Sequence, residues 1–276
     1  MPSSVIPALA PTRVFDRAIC RLIAALAGIL MSSAAVAAVT PEAYRNVGVS
    51  PPPGAGVPRD ATVTVDGRLR SMAELIARPT VLVFADYTCT TLCGPIVAFV
   101  AAALDKSGLR AGEQFGLLVV GLDPKDSAAD AATMRRDHLE PGGALDKATT
   151  FATADIATVQ RLTAALGYRY IYDADHDQYV HPGAAYVLRA DGRVSRVLTG
   201  LGLTGYDMRL ALVEASAGQV GSFADQVRLI CSGFDPTRGA YNVMVSRLLA
   251  ITGVATVLAL GGLVGVLVLM SRRRVA

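Results

Sequence analysis

Val81-Leu82-Val83-Phe84-Ala85-Asp86-Tyr87-Thr88-Cys89-Thr90-Thr91-Leu92-Cys93-Gly94-Pro95 places three local signals end to end. Val81 to Ala85 is a continuous apolar run of strand length, the pattern of a central strand buried on both faces. It passes directly into a loop carrying two thiols with three residues between them. Pro95 then starts a helix that residues 96–104 continue, because the amide that proline lacks has no intrahelical acceptor in a first turn. The unpaired amides and positive dipole end of that helix favour thiolate over thiol at Cys89 and Cys93.

The segments on either side predict the surrounding fold. Residues 115–122 form a second buried strand ending at Asp123-Pro124, and residues 127–138 have helical character. A third strand at 149–152 and a helix at 155–166 follow, and this strand and helix alternation builds a parallel sheet through right-handed crossovers. The periodicity then changes. Residues 184–189, the turn Asp191-Gly192 and residues 193–198 predict an antiparallel hairpin, followed by a helix over 206–217. Upstream, residues 62–65 and 68–70 flank Asp66-Gly67, a pair that accepts the positive backbone angles of a tight hairpin turn, and a short helix over 71–77 comes next. The fold class expected is α/β, a thioredoxin-like mixed sheet with flanking helices, in a domain spanning 61–220. Residues 39–60, with Pro51-Pro52-Pro53-Gly54 and no apolar period, read as a flexible linker. No internal repeat is present.

Both ends of the 276-residue chain are apolar, in keeping with a composition that is 52% hydrophobic. Arg13, Arg17 and Arg21 precede an apolar run from Leu22 to Met31 and then the small residues Ala35-Val36-Ala37-Ala38. That is the layout of a secretory signal peptide over residues 1–38; the alternative is an uncleaved anchor that uses the small residues as extra length. Residues 248–270 carry no charge, enough helix to cross a bilayer, so a C-terminal transmembrane helix is expected at 247–271 after a juxtamembrane linker at 221–246. Arg272, Arg273 and Arg274 lie in a basic tail, residues 272–276, that the positive-inside tendency holds in the cytoplasm, leaving the domain on the periplasmic side. Without residues 1–38, which hold three Arg and one Asp, and without the three terminal arginines, 26 basic and 23 acidic residues become 20 and 22. The exported part is thus about neutral and shows no nucleic-acid signature.

Of four cysteines, Cys20 lies in the signal, leaving Cys89, Cys93 and Cys231. An odd number in an oxidising compartment argues against a pure disulfide framework. Dithiol oxidoreductases of this fold have two residues between their cysteines, whereas three let the sulfurs open around a soft ion; a disulfide can still close across three. Among three histidines, His138 ends a polar helix and reads as surface, and His176 lies in an acidic loop with Asp173, Asp175 and Asp177. His181 sits where that loop returns to a strand, a place from which it can complete a set of two sulfurs and one nitrogen. Such a set suits copper, thiolates stabilising Cu(I) and imidazole tolerating Cu(II), with zinc as the other chemistry. Asp123 reads as strand-end turn chemistry, or as a carboxylate that orients a ligand. Cys231, beside the membrane helix, is either a relay thiol or simply tolerated.

Tyr87, Cys89, Cys93 and Pro95 after the strand, Asp123-Pro124 closing the next one, and Asp177-Gln178-Tyr179-Val180-His181 before a strand and Asp191-Gly192-Arg193 together resemble the Sco/SenC family of copper chaperones. The resemblance runs from about Ala61 to Ala217. It implies a copper ion held by Cys89, Cys93 and His181, and a non-enzymatic role in delivering copper to, or reducing, the binuclear copper site of a cytochrome oxidase subunit. A thiol reductant protein and the membrane would be further partners. Thr90 and Leu92 stand where the family usually has proline and an acidic residue, and the anchor is C-terminal where the family's is N-terminal. The competing function is a periplasmic thiol–disulfide oxidoreductase without a stable metal, with Cys89 and Cys93 catalytic.

Overall fold

A computed structural model describes residues 45–89, 93–200, 202–217, 225, 229, 232–235, 240–243 and 251–263, without the side chains of 93, 94, 232–235 and 240–243. Its centre is a mixed five-stranded sheet. The five strands are β1 (Thr80–Ala85), β2 (Gly116–Gly121), β3 (Thr149–Ala152), β4 (Ala184–Leu188) and β5 (Val194–Thr199), arranged in the order β5-β4-β1-β2-β3. β1, β2 and β3 pair in parallel, while β4 pairs antiparallel with both β1 and β5. Parallel strands followed by an antiparallel pair is the arrangement the sequence predicts, and β1 is buried at all six positions.

Alternate residues of β1 face different cores. Val81, Val83 and Ala85 pack with helices α1 (Cys93–Asp105), α2 (Ala128–His138) and α4 (Gly205–Ala215), whereas Leu82 and Phe84 pack with α3 (Ile156–Ala165) and the upstream hairpin. Buried on both faces, the strand needs no alternation of polar and apolar residues. The helices start where capping residues dictate: Ser127 and Asp130 form a reciprocal capping box on α2, Thr204 and Asp207 form another on α4, and Asp155 caps α3. Helix α1 begins at Cys93 and not at Pro95; proline is tolerated throughout the first turn, where no amide has an intrahelical acceptor. The hairpin Thr62–Val65/Arg68–Ser71 turns at Asp66 and Gly67, with φ of 49° and 74°.

Two segments differ from the sequence reading. Residues 45–60, read as a flexible linker, lie against the domain: Gly48–Val49 pairs antiparallel with Tyr168–Arg169, Ala55 and Val57 are buried, and the Val57 N–H donates to the Gly192 carbonyl at 2.9 Å. Prolines and glycines conceal this, because one pair of residues has no detectable period. The acidic loop around His176 is the tip of a second hairpin, Ile171–Asp173 paired with Gln178–Val180. Its polar residues cap a short, half-exposed ribbon.

Residues 251–263 are helical and exposed. Among the described residues no helix is long and apolar enough to cross a membrane. The expected span at 247–271 extends beyond them at both ends, and the signal peptide at 1–38, the basic tail at 272–276, Cys20 and Cys231 lie outside them.

Candidate functional site

β1 ends at Ala85, and the next two side chains moor the cysteine loop. Asp86 is fully buried. Its Oδ1 accepts from the backbone N–H and the hydroxyl of Thr88, both at 3.1 Å, and its Oδ2 accepts from the Tyr179 backbone N–H at 2.8 Å. Tyr87, also buried, points along the sheet and directs its hydroxyl to the carbonyls of Val119 at 2.9 Å and Ala152 at 2.8 Å, tying the loop to β2 and β3. Cys89 is half-buried, and its thiol donates to Gln178 Oε1 at 3.6 Å. Asp86 and Cys89 therefore both grip the strand Gln178–Val180 that leads into His181.

The turn after β2 holds the tip of the same hairpin. Asp123 Oδ1 accepts the Lys125 N–H at 2.8 Å, the turn chemistry predicted for an Asp-Pro pair. Lys125 Nζ and the Tyr172 hydroxyl both donate to Asp177 Oδ1, and the ammonium lies 5.6 Å from the centroid of the Tyr172 ring. The Asp177 carboxylate pushes the Lys125 ammonium up to about 12. Nearby, Asp126 is buried with Oδ2 accepting from the Tyr87 N–H at 3.4 Å and Oδ1 without a hydrogen-bond partner. Burial raises its carboxyl to about 7, with Asp86, Asp123 and Asp130 adding to the effect.

The three histidines lie in different surroundings. His138 ends α2, half-buried, and His176 is exposed, its Nδ1 bonded to Asp173 Oδ2 at 2.8 Å. His181 is brought to the cysteine loop. Its Nδ1 lies 2.8 Å from the Tyr168 hydroxyl and 3.3 Å from the Pro182 carbonyl, while Nε2 is shielded from solvent and has no hydrogen-bond partner among the described residues. Burial pushes the imidazole pKa down, against the opposing pull of the Pro182 carbonyl and of the nearby Cys89 and Asp86. Two residues on, Gly183 lies so close to α1 that an added Cβ would stand 3.3 Å from Ile96 Cδ1. The His181 loop therefore packs on the helix that Cys93 begins.

A buried imidazole nitrogen without a partner among the described residues, on a segment tied to the cysteine loop, fits a soft metal ion: a buried polar atom without a partner is costly, and coordination would remove the cost. Among the described residues no group of three His, Cys, Asp or Glu side chains is close enough to hold a metal, and the side chain of Cys93 is not among them. The sequence reading assigned no role to Asp86 or Tyr168, and quoted Gln178 only within a motif; the three position the loop and the histidine. Asp86 follows an apolar strand directly, and a carboxylate there is the one signal that pointed to a buried structural role.

No protein-family model matches the chain. None of the curated proteins matches it either. Two solved structures from Aquifex aeolicus do: a candidate electron transfer protein, 21% identical at a TM-score of 0.53, aligned over 60% of this chain and 95% of its own, and a candidate electron transport protein, 21% identical at 0.51, over 59% and 98%. The chain shares their fold. Also similar is BsSco, a member of the Sco family of cytochrome c oxidase assembly proteins, 19% identical over 61% of this chain and 98% of that one, at a TM-score of 0.49.

Proposed function

We propose that this chain is a membrane-anchored copper-binding chaperone whose Cys89, Cys93 and His181 hold one copper ion for delivery to, or reduction of, the binuclear copper site of a cytochrome oxidase. The observation that carries it is His181 Nε2, buried and without a hydrogen-bond partner among the described residues, on a strand end that Asp86 and Cys89 of the cysteine loop hold through Tyr179 and Gln178. Copper is cargo here: two thiolates favour Cu(I), one imidazole tolerates Cu(II), and three protein ligands leave a position through which a client's ligands can enter. The chain's own residues do the positioning. Asp86 and Gln178 draw the histidine hairpin onto the cysteine loop, and Tyr87 fixes that loop to the sheet. The order of Sco/SenC-like motifs supports the oxidase client. The signal at residues 1–38 and the apolar span at 247–271 support a domain held on the periplasmic side of a membrane, near a membrane-bound client. A thiol reductant protein would keep the cysteines reduced.

The test is an anaerobic copper titration of the reduced full chain in detergent micelles, wild type against His181→Ala. One tightly bound copper per chain, with thiolate charge-transfer bands in the Cu(II) form that the variant lacks, is the expected result. Binding unchanged in the variant would sink the reading. Turnover on a disulfide substrate that survives loss of His181 but not of Cys93 would move the assignment to a thiol–disulfide reductase.

A further inference from the structure

Three polar atoms form a triangle at His181. Its Nδ1 lies 2.8 Å from Tyr168 Oη and 3.3 Å from the Pro182 carbonyl oxygen, and Tyr168 Oη lies 3.0 Å from that same oxygen. A carbonyl oxygen only accepts, a tyrosine hydroxyl brings one hydrogen, and a neutral imidazole brings one hydrogen to one of its two nitrogens. Within the triangle the imidazole hydrogen has two placements.

With the imidazole hydrogen on Nδ1, the Tyr168 hydroxyl donates to the Pro182 carbonyl and its lone pair accepts Nδ1–H. Every group in the triangle is then satisfied. With the hydrogen on Nε2, the single hydroxyl hydrogen must choose between the carbonyl and bare Nδ1, and a buried Nε2–H is left with no acceptor among the described residues. Burying such a donor unpaired is the costlier arrangement.

The hydroxyl is held in place by the ring that carries it. Tyr168 is 3% exposed, and its ring packs 4.8 Å from Phe84 of β1 and 6.2 Å from Tyr186 of β4, centroid to centroid, with the His181 ring at 6.3 Å. Phe84 and Tyr186 are themselves fully buried in the central sheet. The position of the hydroxyl, and through it the plane of the imidazole, is thereby set by the core.

We infer that Tyr168 is the positioning residue of this site: its hydroxyl holds the His181 hydrogen on Nδ1 and so leaves Nε2 with an unprotonated lone pair. The tautomer is a property of the metal-free protein. Only the purpose of the lone pair rests on the copper reading above.

The experiment is long-range proton–nitrogen NMR on the full chain in detergent micelles, metal-free and reduced, with nitrogen-15 histidine, at a pH where imidazole is neutral. The chain has three histidines, and His181→Gln assigns the signal. The expected wild-type signature is a pyrrole-like Nδ1 and a pyridine-like Nε2 at His181; the reverse pattern overturns the inference without any variant. Tyr168→Phe, which keeps the ring packing, should convert this to a mixture of tautomers and weaken copper binding by about 10- to 100-fold, the usual effect of removing a group that orients a ligating histidine. A Tyr168→Phe protein with an unchanged tautomer overturns the role of the hydroxyl. Should the wild type show the expected tautomer, and Tyr168→Phe the mixture, while neither binds copper, the chaperone reading fails and this inference stands.

Discussion

The Asp86 carboxylate accepts the backbone N–H of Tyr179, 93 residues further along the chain, at 2.8 Å, and with that bond the cysteine loop and the histidine hairpin become one site. The same carboxylate accepts twice from Thr88. Asp86→Ala removes all three bonds at a fully buried position, which should cost about 3 kcal/mol. For a domain of this size that is a fall in Tm of about 10 °C, read by thermal unfolding. Copper affinity should fall along with it. A variant with wild-type Tm would show that the bond does not hold the two segments together.

Asp126 makes stability depend on pH. Its carboxyl titrates at about 7 in the folded protein, mainly through burial, against an ordinary 3.8 when unfolded. Between these values the folded chain retains a proton that the unfolded chain has lost, so stability declines as pH rises from about 4 to about 7 and is level above that. Asp126→Asn cannot ionise. Its Tm relative to wild type should therefore be higher at pH 8 than at pH 5; an offset equal at both pH values would refute the assignment.

Gly167 joins the N-terminal segment to the domain. Its φ is +61°, its carbonyl accepts the Ser50 N–H at 2.8 Å, and an added Cβ would stand 2.0 Å from the Ser50 carbonyl oxygen. Backbone cannot rotate aside as a side chain can. Gly167→Ala should destabilise by about 3 kcal/mol, overpacking and left-handed strain together. Limited proteolysis should then cut within residues 45–60, where the wild type resists. Equal resistance would mean that this segment does not depend on the contact.

Tyr87→Phe keeps the buried ring and loses the hydroxyl that spans Val119 and Ala152. The expected loss is about 1 kcal/mol, seen as a lower denaturant midpoint with unchanged slope. A change in slope would point instead to an altered unfolded or native compactness.

Much of the fold was legible because its signals are local. The apolar run of β1, the Asp66-Gly67 turn and the change from parallel to antiparallel pattern each lie within a few residues of sequence. Candidate site residues could be named for a simpler reason, the scarcity of histidines and cysteines. The pairing of residues 48–49 with 168–169 and the hairpin 171–180 were not legible, because two- and three-residue strands carry no period and their polar tips read as loop.

The sequence by itself determined the central strands, the dithiol at a helix start, and the signal-like and apolar terminal segments, since hydropathy, length and capping chemistry act over a single stretch of chain. Only the tertiary structure decided that Asp86 grips Tyr179, that Cys89 reaches Gln178, and that Tyr168 stands behind His181. Those contacts join residues 13 to 93 positions apart, and nothing in a local pattern encodes which distant polar atoms burial will force to meet.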